Sequence, residues 1–492
     1  MFSFALTLNP DGRQPMYEQL YRCIAEAIRS GSLRSGEKLP SKRELCEQLG
    51  ISRSTVETAY ELLRAEGYVE ARPRSGFYTA DYLPLPGPEH RGRFSVFTDT
   101  ENRPLPPESP FSTSAVDVSA FPYASWAKLY KEVVYNSPDL LQRGEPQGEP
   151  RLRTALTELL SEYRGVRCTP DQIVVGSGIE TLMSQVVTIL GPETVWALED
   201  PGYPAIDRTL RARGSRRVCL PLDGDGMDAE ALERSGADVA YLTPSHQFPL
   251  GITMPASRRS RLLRWASGGD RYIVEDDYDS EFRYGGRPIP AMQGLDRLNR
   301  VIYVGTFSRS LAPAIRLAYM VLPPVLLERW QALFGRQQPT VSRSEQTVMA
   351  RFLAEGWYGR YLRRVGKLYA DRRAALLTAL GRIDGVRISG ADGGIHFLLT
   401  NPRLSEKELV RSAGAAGLRL TGLSEFCSRV PPEPSTLVIG FGGLPTEEVS
   451  RAVSRMEAAW EAAGRNRAAG GTDSLLKSGN PSDIMGKKEV NP

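Results

Sequence analysis

Residues 305–316 read GTFSRSLAPAIR. Two hydroxyls, Thr306 and Ser308, stand with two arginines, Arg309 and Arg316, just past the apolar run VIYV. Small hydroxyls beside guanidinium groups suit an anion, because the planar N–H fork matches phosphate or carboxylate. No lysine occurs between positions 301 and 320, so the turn offers no amine nucleophile. Four further polar clusters close apolar runs: GSGIE at 176–180, DPGYP at 200–204, SHQF at 245–248 and DDYD at 276–279. The glycines of GSGIE leave N–H groups free at a helix start, a phosphate cradle. Thr306, Ser308 and Arg316 can complete it. Tyr203 can stack on a planar ring. Asp276 can hold a protonated ring nitrogen, since a buried carboxylate needs such a partner, and Tyr278 can donate to a ring hydroxyl. Each residue has a plainer reading: Asp276 as a turn cap, Tyr203 as packing, the glycines as a tight turn, Arg316 as a surface ion pair, His246 as a satisfied buried histidine.

These clusters need strands to position them. DQIVV (171–175), ETVWALE (193–199), Arg217–Leu220, DVAYLT (238–243), RYIVE (271–275), VIYVG (301–305) and RLAYM (316–320) are short apolar runs. Repeated strand–turn–helix units predict a mostly parallel sheet with helices on both faces, whose ligands bind beyond the carboxyl ends of the strands. Residues 126–165 and 350–390 read as helical. GGIHFLLT (393–400) and LVIGF (437–441) predict a small α+β subdomain closing the chain.

The first 80 residues carry a second chemistry. Met16, Leu20, Ile24, Ala27 and Ile28 recur at helical spacing. Ser41 with Glu44 has capping-box spacing, Gly50 ends that helix, and Ser52 opens a third. Two short helices so joined predict a helix-turn-helix, and GYVEARPRSGFYTA (67–80) a hairpin with arginines at its tip. The third helix would enter the DNA major groove with Ser52, Arg53 and Thr55 at its N-terminus. Arg43 would reach the backbone, and Arg72 and Arg74 the minor groove. Residues 11–80 hold eleven Lys/Arg against ten Asp/Glu, so placement rather than bulk charge carries this reading.

Composition excludes several classes. The chain has 492 residues, 41% hydrophobic and 24% charged, which fits two or more globular domains. A net charge of +4 permits a local nucleic-acid patch without arguing for one. Five scattered cysteines and three histidines show no metal-ligand spacing, so no metal is expected. Scattered cysteines and no apparent signal peptide fit a reducing cytoplasm. No apolar run reaches membrane-spanning length. The expected layout is a helix-turn-helix domain at 11–80, a Pro-rich linker at 81–115, a large domain at 116–463 and a disordered tail at 464–492.

The stretches GSLRSGEKLPSKREL, SRSTVETAYELLRAEGY and RPRSGFY resemble the GntR-family winged helix. That resemblance implies DNA contacts from Ser41, Arg43, Ser52, Arg53, Thr55, Arg72 and the wing glycine Gly76. The stretches GEPQGEPRLRTAL, EDPGYP, TPSHQFPLG, IVEDDYDSEFRY and GTFSRSLAPAIR resemble fold-type I pyridoxal-phosphate enzymes of the aspartate-aminotransferase superfamily. Joined to such a head, the whole is similar to the MocR/GabR subfamily of bacterial regulators. The resemblance implies that Gly178 and Ile179 hold a phosphate through backbone N–H groups, with Thr306, Ser308 and Arg316. It also implies that Asp276 pairs with the pyridine nitrogen and Tyr278 with the ring oxygen, in a head-to-tail homodimer bound to an operator.

The pattern breaks first at the cofactor-attachment position. The family's GTFSK lysine, which forms a Schiff base with the cofactor, is matched here by Arg309. A guanidinium stays protonated and is no practical Schiff-base nucleophile. Arg143 replaces a usual tyrosine, the segment before FPYASW is short, and LVIGFGGL holds no arginine for a substrate carboxylate. The sequence therefore predicts no catalytic residues. It predicts a regulator whose large domain binds pyridoxal phosphate or a similar phosphorylated effector non-covalently, with Arg309 against an anion. The alternatives are an effector-blind dimerisation scaffold with no cofactor, and a residual aminotransferase.

Overall fold

A computed structural model describes residues 8, 14–81, 109–285, 290–428 and 435–475, the last with side chains to 465. The chain divides into two compact units, Met1–Leu105 and Pro106–Pro492.

The first unit holds three helices, α1 (Met16–Arg29), α2 (Lys42–Leu49) and α3 (Arg53–Ala65), then a hairpin of β1 (Val69–Arg72) and β2 (Gly76–Thr79). Both expected caps are present. Ser41 accepts from Glu44 N–H while Glu44 accepts from Ser41 N–H, and Ser52 accepts from Thr55 N–H. Gly50 ends α2 in the left-handed conformation, φ +64. The helical apolar rows meet in one core of Leu20, Ile24, Leu45, Val56, Tyr60, Leu63 and Val69. Burying each large side chain contributes about 1.5–3 kcal/mol. The hairpin is tied to the chain before α2, where Leu39 N–H donates to the Phe77 carbonyl at 2.8 Å and Thr79 N–H to that of Glu37 at 2.9 Å.

The second unit is built on an eight-stranded sheet. Its strands are β3 (Ile173–Gly176), β4 (Val195–Asp200), β5 (Arg216–Asp223), β6 (Gly226–Met227), β7 (Val239–Leu242), β8 (Tyr272–Asp277), β9 (Val301–Thr306) and β10 (Ala318–Val321). The spatial order is β3-β10-β9-β8-β7-β4-β5-β6. β10 runs antiparallel to β3 and β9, and β6 antiparallel to β5; the other pairs are parallel. The middle strands are buried throughout, as a sheet covered on both faces requires. Alternation divides them between two cores. Trp196, Leu198, Val274 and Val304 face one, and Ala197, Ala240 and Ile273 the other. A second sheet, ordered β11 (Arg387–Ser389), β12 (His396–Thr400), β14 (Thr436–Gly440) and β13 (Thr421–Gly422), forms the closing subdomain.

Two expectations need correction. The linker expected to reach 115 ends earlier: Phe111 is 1% exposed in the large core, and its carbonyl accepts from Gly440 N–H at 2.9 Å. Apolar burial within a Pro/Ser-rich stretch draws it onto the body. The tail expected from Gly464 instead continues the helix Val449–Leu475, whose AAWEAAGRNRAA run is rich in strong helix formers; residues 476–492 lie outside the described set. Residues 350–390 are mainly helical, as expected, through Leu380, after which β11 pairs with β12. The two-residue strands β6 and β13 are too short to carry a sequence period.

Candidate functional site

The turns after β3, β4, β7, β8 and β9 converge. Ile179, Tyr203, Thr243, Phe248, Asp276, Tyr278, Thr306, Ser308, Arg309 and Arg316 line one cavity of about 210 Å³. Glu180, Pro313 and Ser114 complete its wall. All nine sequence-predicted ligand residues except Gly178 line it, and Gly178 adjoins it.

Gly178 caps the helix Ile179–Leu190 with φ +142 and ψ 166, a conformation open only to glycine. A Cβ there would collide with Arg316 Nη2, so the glycine lets the guanidinium lie against the helix start. Arg316 has φ +52, and this left-handed turn aims it back across the sheet end. Ser308 N–H donates to Thr306 Oγ1 at 3.1 Å, and that hydroxyl donates to Ser308 Oγ at 3.0 Å. Helix-start N–H groups, two hydroxyls and one arginine thus gather at one end, an arrangement whose chemistry suits a phosphate.

Asp276 is 3% exposed. Its Oδ2 accepts from the Tyr241 hydroxyl, while Oδ1 is buried with no protein donor. Burial pushes its carboxyl up to about 7; the Tyr241 bond opposes this, and Asp277, Asp279 and Glu199 add to it. A buried oxygen without a donor costs about 1–3 kcal/mol, which a ring N–H would offset. The cradle that a Cβ would fill and this orphaned oxygen both fit a phosphorylated, N–H-bearing ring. Tyr203 stands at the entry of its helix, edge-on to Phe248 at 5.7 Å. The Tyr278 hydroxyl donates to the His246 carbonyl at 2.9 Å and lies 3.1 Å from His246 Nδ1. Burial holds it well above the usual tyrosine range, so it remains a donor.

Arg309 Nη1 donates to the Thr113 carbonyl. Arg143 does not line the cavity; it donates to the carbonyls of Arg336 and Gln337, joining two loops. His246, in turn, pairs with buried Asp279 at 3.0 Å and packs 4.7 Å from His396, whose Nε2 lies 3.1 Å from the Pro249 carbonyl. These three could by spacing hold a metal ion, which the chain order 246, 279, 396 hid from sequence. His246 Nδ1 and His396 Nε2 have hydrogen-bond partners while His246 Nε2 is buried without one, and burial keeps His396 well below the usual histidine range.

In the head, the expected DNA face is exposed. Arg43 and Arg53 are held by Glu47 and Glu57, each four residues on, at 2.9 and 3.3 Å. Arg72 stacks on the Tyr78 ring at 4.3 Å, and Arg74 (φ +60) and Gly76 (φ +113) shape the hairpin tip. Ser41 and Ser52 cap the two helix starts through their Oγ atoms, and Thr55 donates its N–H to Ser52 Oγ, with its own hydroxyl 2.8 Å from that atom. Sequence reasoning missed Tyr78, Lys38 and Lys42. Lys38 lies 6.0 Å from the Tyr78 ring, and Lys42 reaches Glu57 at 3.2 Å. Aromatic–basic alternation in the wing was the available signal.

Residues 16–79 match the family of bacterial regulatory proteins, gntR family, and residues 112–456 match aminotransferase class I and II. The uncharacterized HTH-type transcriptional regulator YdeL of Bacillus subtilis is 38% identical, over 91% of this chain and 97% of its own. The probable rhizopine catabolism regulatory protein MocR of Rhizobium meliloti is 34% identical, over 92% and 96%. Among solved structures, LysN, an α-aminoadipate aminotransferase from Thermus thermophilus complexed with N-(5′-phosphopyridoxyl)-L-leucine, is similar. Its TM-score is 0.65 and its identity 26%, over 72% of this chain and 92% of that one.

Proposed function

The chain belongs to the MocR-type regulators, with a GntR head and an aminotransferase class I and II body, and from that premise we propose that the body is a sensor and not an enzyme. The protein is a DNA-binding transcriptional regulator. Its effector is pyridoxal phosphate or a ring phosphate of that kind, held without a covalent bond. Gly178, Ile179, Thr306, Ser308 and Arg316 would take the phosphate, Tyr203 the ring face, Asp276 the ring nitrogen and Tyr278 the ring oxygen. When bound beside a lysine, such a group supplies an electron sink for amino-acid chemistry. Here Arg309 stands at the cavity floor, and a guanidinium neither attaches to the ring nor serves as a base.

The observation that carries this reading is Asp276. Its unpartnered Oδ1 lies in the same cavity as Arg316 and the Gly178 cradle. A body that served only as a scaffold would gain nothing from leaving that oxygen bare. Double-stranded DNA is the second partner, met by Ser41, Arg43, Ser52, Arg53, Thr55, Arg72, Arg74 and Gly76. A head-to-tail homodimer accords with the exposed apolar side chains Tyr123, Val134, Tyr135 and Leu141, which a monomer would leave in water. Among the described residues no helix is long and apolar enough to cross a membrane, and the proposed action on a DNA operator supports a cytoplasmic location.

The test uses DNA enriched from a random pool by the full-length protein. Pyridoxal phosphate should quench intrinsic fluorescence and change DNA affinity, with no borohydride-trapped mass increase. A trapped adduct on the wild type would overturn the non-covalent reading; absence of binding by any ring phosphate would favour the scaffold.

A further inference from the structure

The chain enters the body along the rim of the cavity. Ser109 Oγ donates to the Arg419 carbonyl at 2.5 Å, and Phe111 is anchored in the core with its carbonyl on Gly440 N–H. Gly440 and Gly442 have no side chain where the carbonyls of Ser112 and Ala115 press against them. Residues 109–115 therefore lie as a strap on the GFGG run, 440–443. Thr113, mid-strap, gives its carbonyl to Arg309, and Ser114 lines the cavity. In sequence, residues 82–108 join this strap to the DNA-binding head.

The cavity's charges are unevenly matched. Arg309 has no protein acceptor among the described residues other than the Thr113 carbonyl, and Arg316 has none. A fork of five N–H donors tied through one nitrogen to a neutral carbonyl has donors to offer. Building on the proposed ring-phosphate reading, we propose that Arg309 is shared between the Thr113 carbonyl and a second anionic group of the effector, so that the strap responds to what fills the cavity. The effector is then a ring phosphate that also carries a carboxylate. Arg316 takes the phosphate, Asp276 the ring N–H, and Arg309 the carboxylate. A carboxylate adds charge–charge attraction and a bidentate fit that a neutral carbonyl lacks, so it draws Arg309 from Thr113. An aldehyde offers no more than Thr113 already does. A protonated amine at the same place is repelled.

Three probes separate these cases: 4-pyridoxic acid 5′-phosphate, pyridoxal phosphate and pyridoxamine phosphate, titrated against the full-length protein. The acid should bind at least about tenfold more tightly than the amine. Hydrogen exchange in the peptide covering 109–117 should change with the acid and not with the amine. Arg309→Gln should bind all three about equally and show no exchange change; Arg309→Met, of similar reach without charge, should behave alike if the glutamine variant fails to fold. Equal affinities in the wild type, a preference surviving in both variants, or acid binding with unaltered exchange would overturn the coupling while leaving the ring-phosphate reading intact. Failure of all three probes and of inorganic phosphate would overturn both.

Discussion

Gly178→Ala should damage folding and binding together, and by amounts the geometry sets. At φ +142 and ψ 166 an alanine is strained, at about 1–3 kcal/mol. Its Cβ would also displace Arg316 from the helix start. Losing one charge-assisted phosphate contact of about 1.5–3 kcal/mol weakens binding roughly ten- to a hundredfold. The matched control is Gly224→Ala, a position without positive φ and with open space around it, expected within about 0.5 kcal/mol of the wild type. Chemical denaturation gives the stability term. Fluorescence titration with pyridoxal phosphate gives the binding term, read below the unfolding transition so that the two do not mix. If Gly178→Ala unfolds with Gly224→Ala and binds the ligand as tightly as the wild type, then neither the cradle nor the placement of Arg316 stands.

On the proposed non-covalent reading, Arg309→Lys should gain a visible absorption band with pyridoxal phosphate and a borohydride-stable mass increase on that lysine by mass spectrometry, neither being expected of the wild type. Glu199 is fully buried under the cavity, with Oε2 accepting from Thr243 and Gln247, and burial pushes it up to about 7. Its unfolded counterpart ionises near 4.5, so its contribution is fully present below that pH and is lost as pH rises to about 7, by ~3 kcal/mol. Glu199→Gln should flatten the fall in stability between pH 4.5 and 7, measured by urea unfolding across that window. Arg43→Ala should weaken DNA binding almost uniformly across sequences and lower the salt slope by about 1, read from anisotropy titrations at several salt concentrations.

Much of this molecule is written locally. The capping box of Ser41 and Glu44, the cap at Ser52, and the short apolar runs that become β3, β4 and β7 to β10 are set by residues within a few positions of each other. Local backbone preference and side-chain period are enough to read them. The polar clusters at strand ends were legible for the same reason, and the sheet then brought them to one edge. Local pattern did not reveal the antiparallel seat of β10 between β3 and β9, because a strand's direction depends on which neighbours it pairs with. Nor did it reveal the strap. Nothing in SPFSTSA announces that Phe111 is buried against residues more than 300 positions later, or that the Thr113 carbonyl meets Arg309. Tyr241 under Asp276 and the trio His246, Asp279 and His396 are likewise products of chain return. Sequence alone determined the winged head, the sheet and the absence of a lysine from residues 301–320, since each rests on residue type and near-neighbour spacing. Only the tertiary structure decided which buried oxygen stays without a donor and what Arg309 touches, since those depend on atoms that long-range packing brings together.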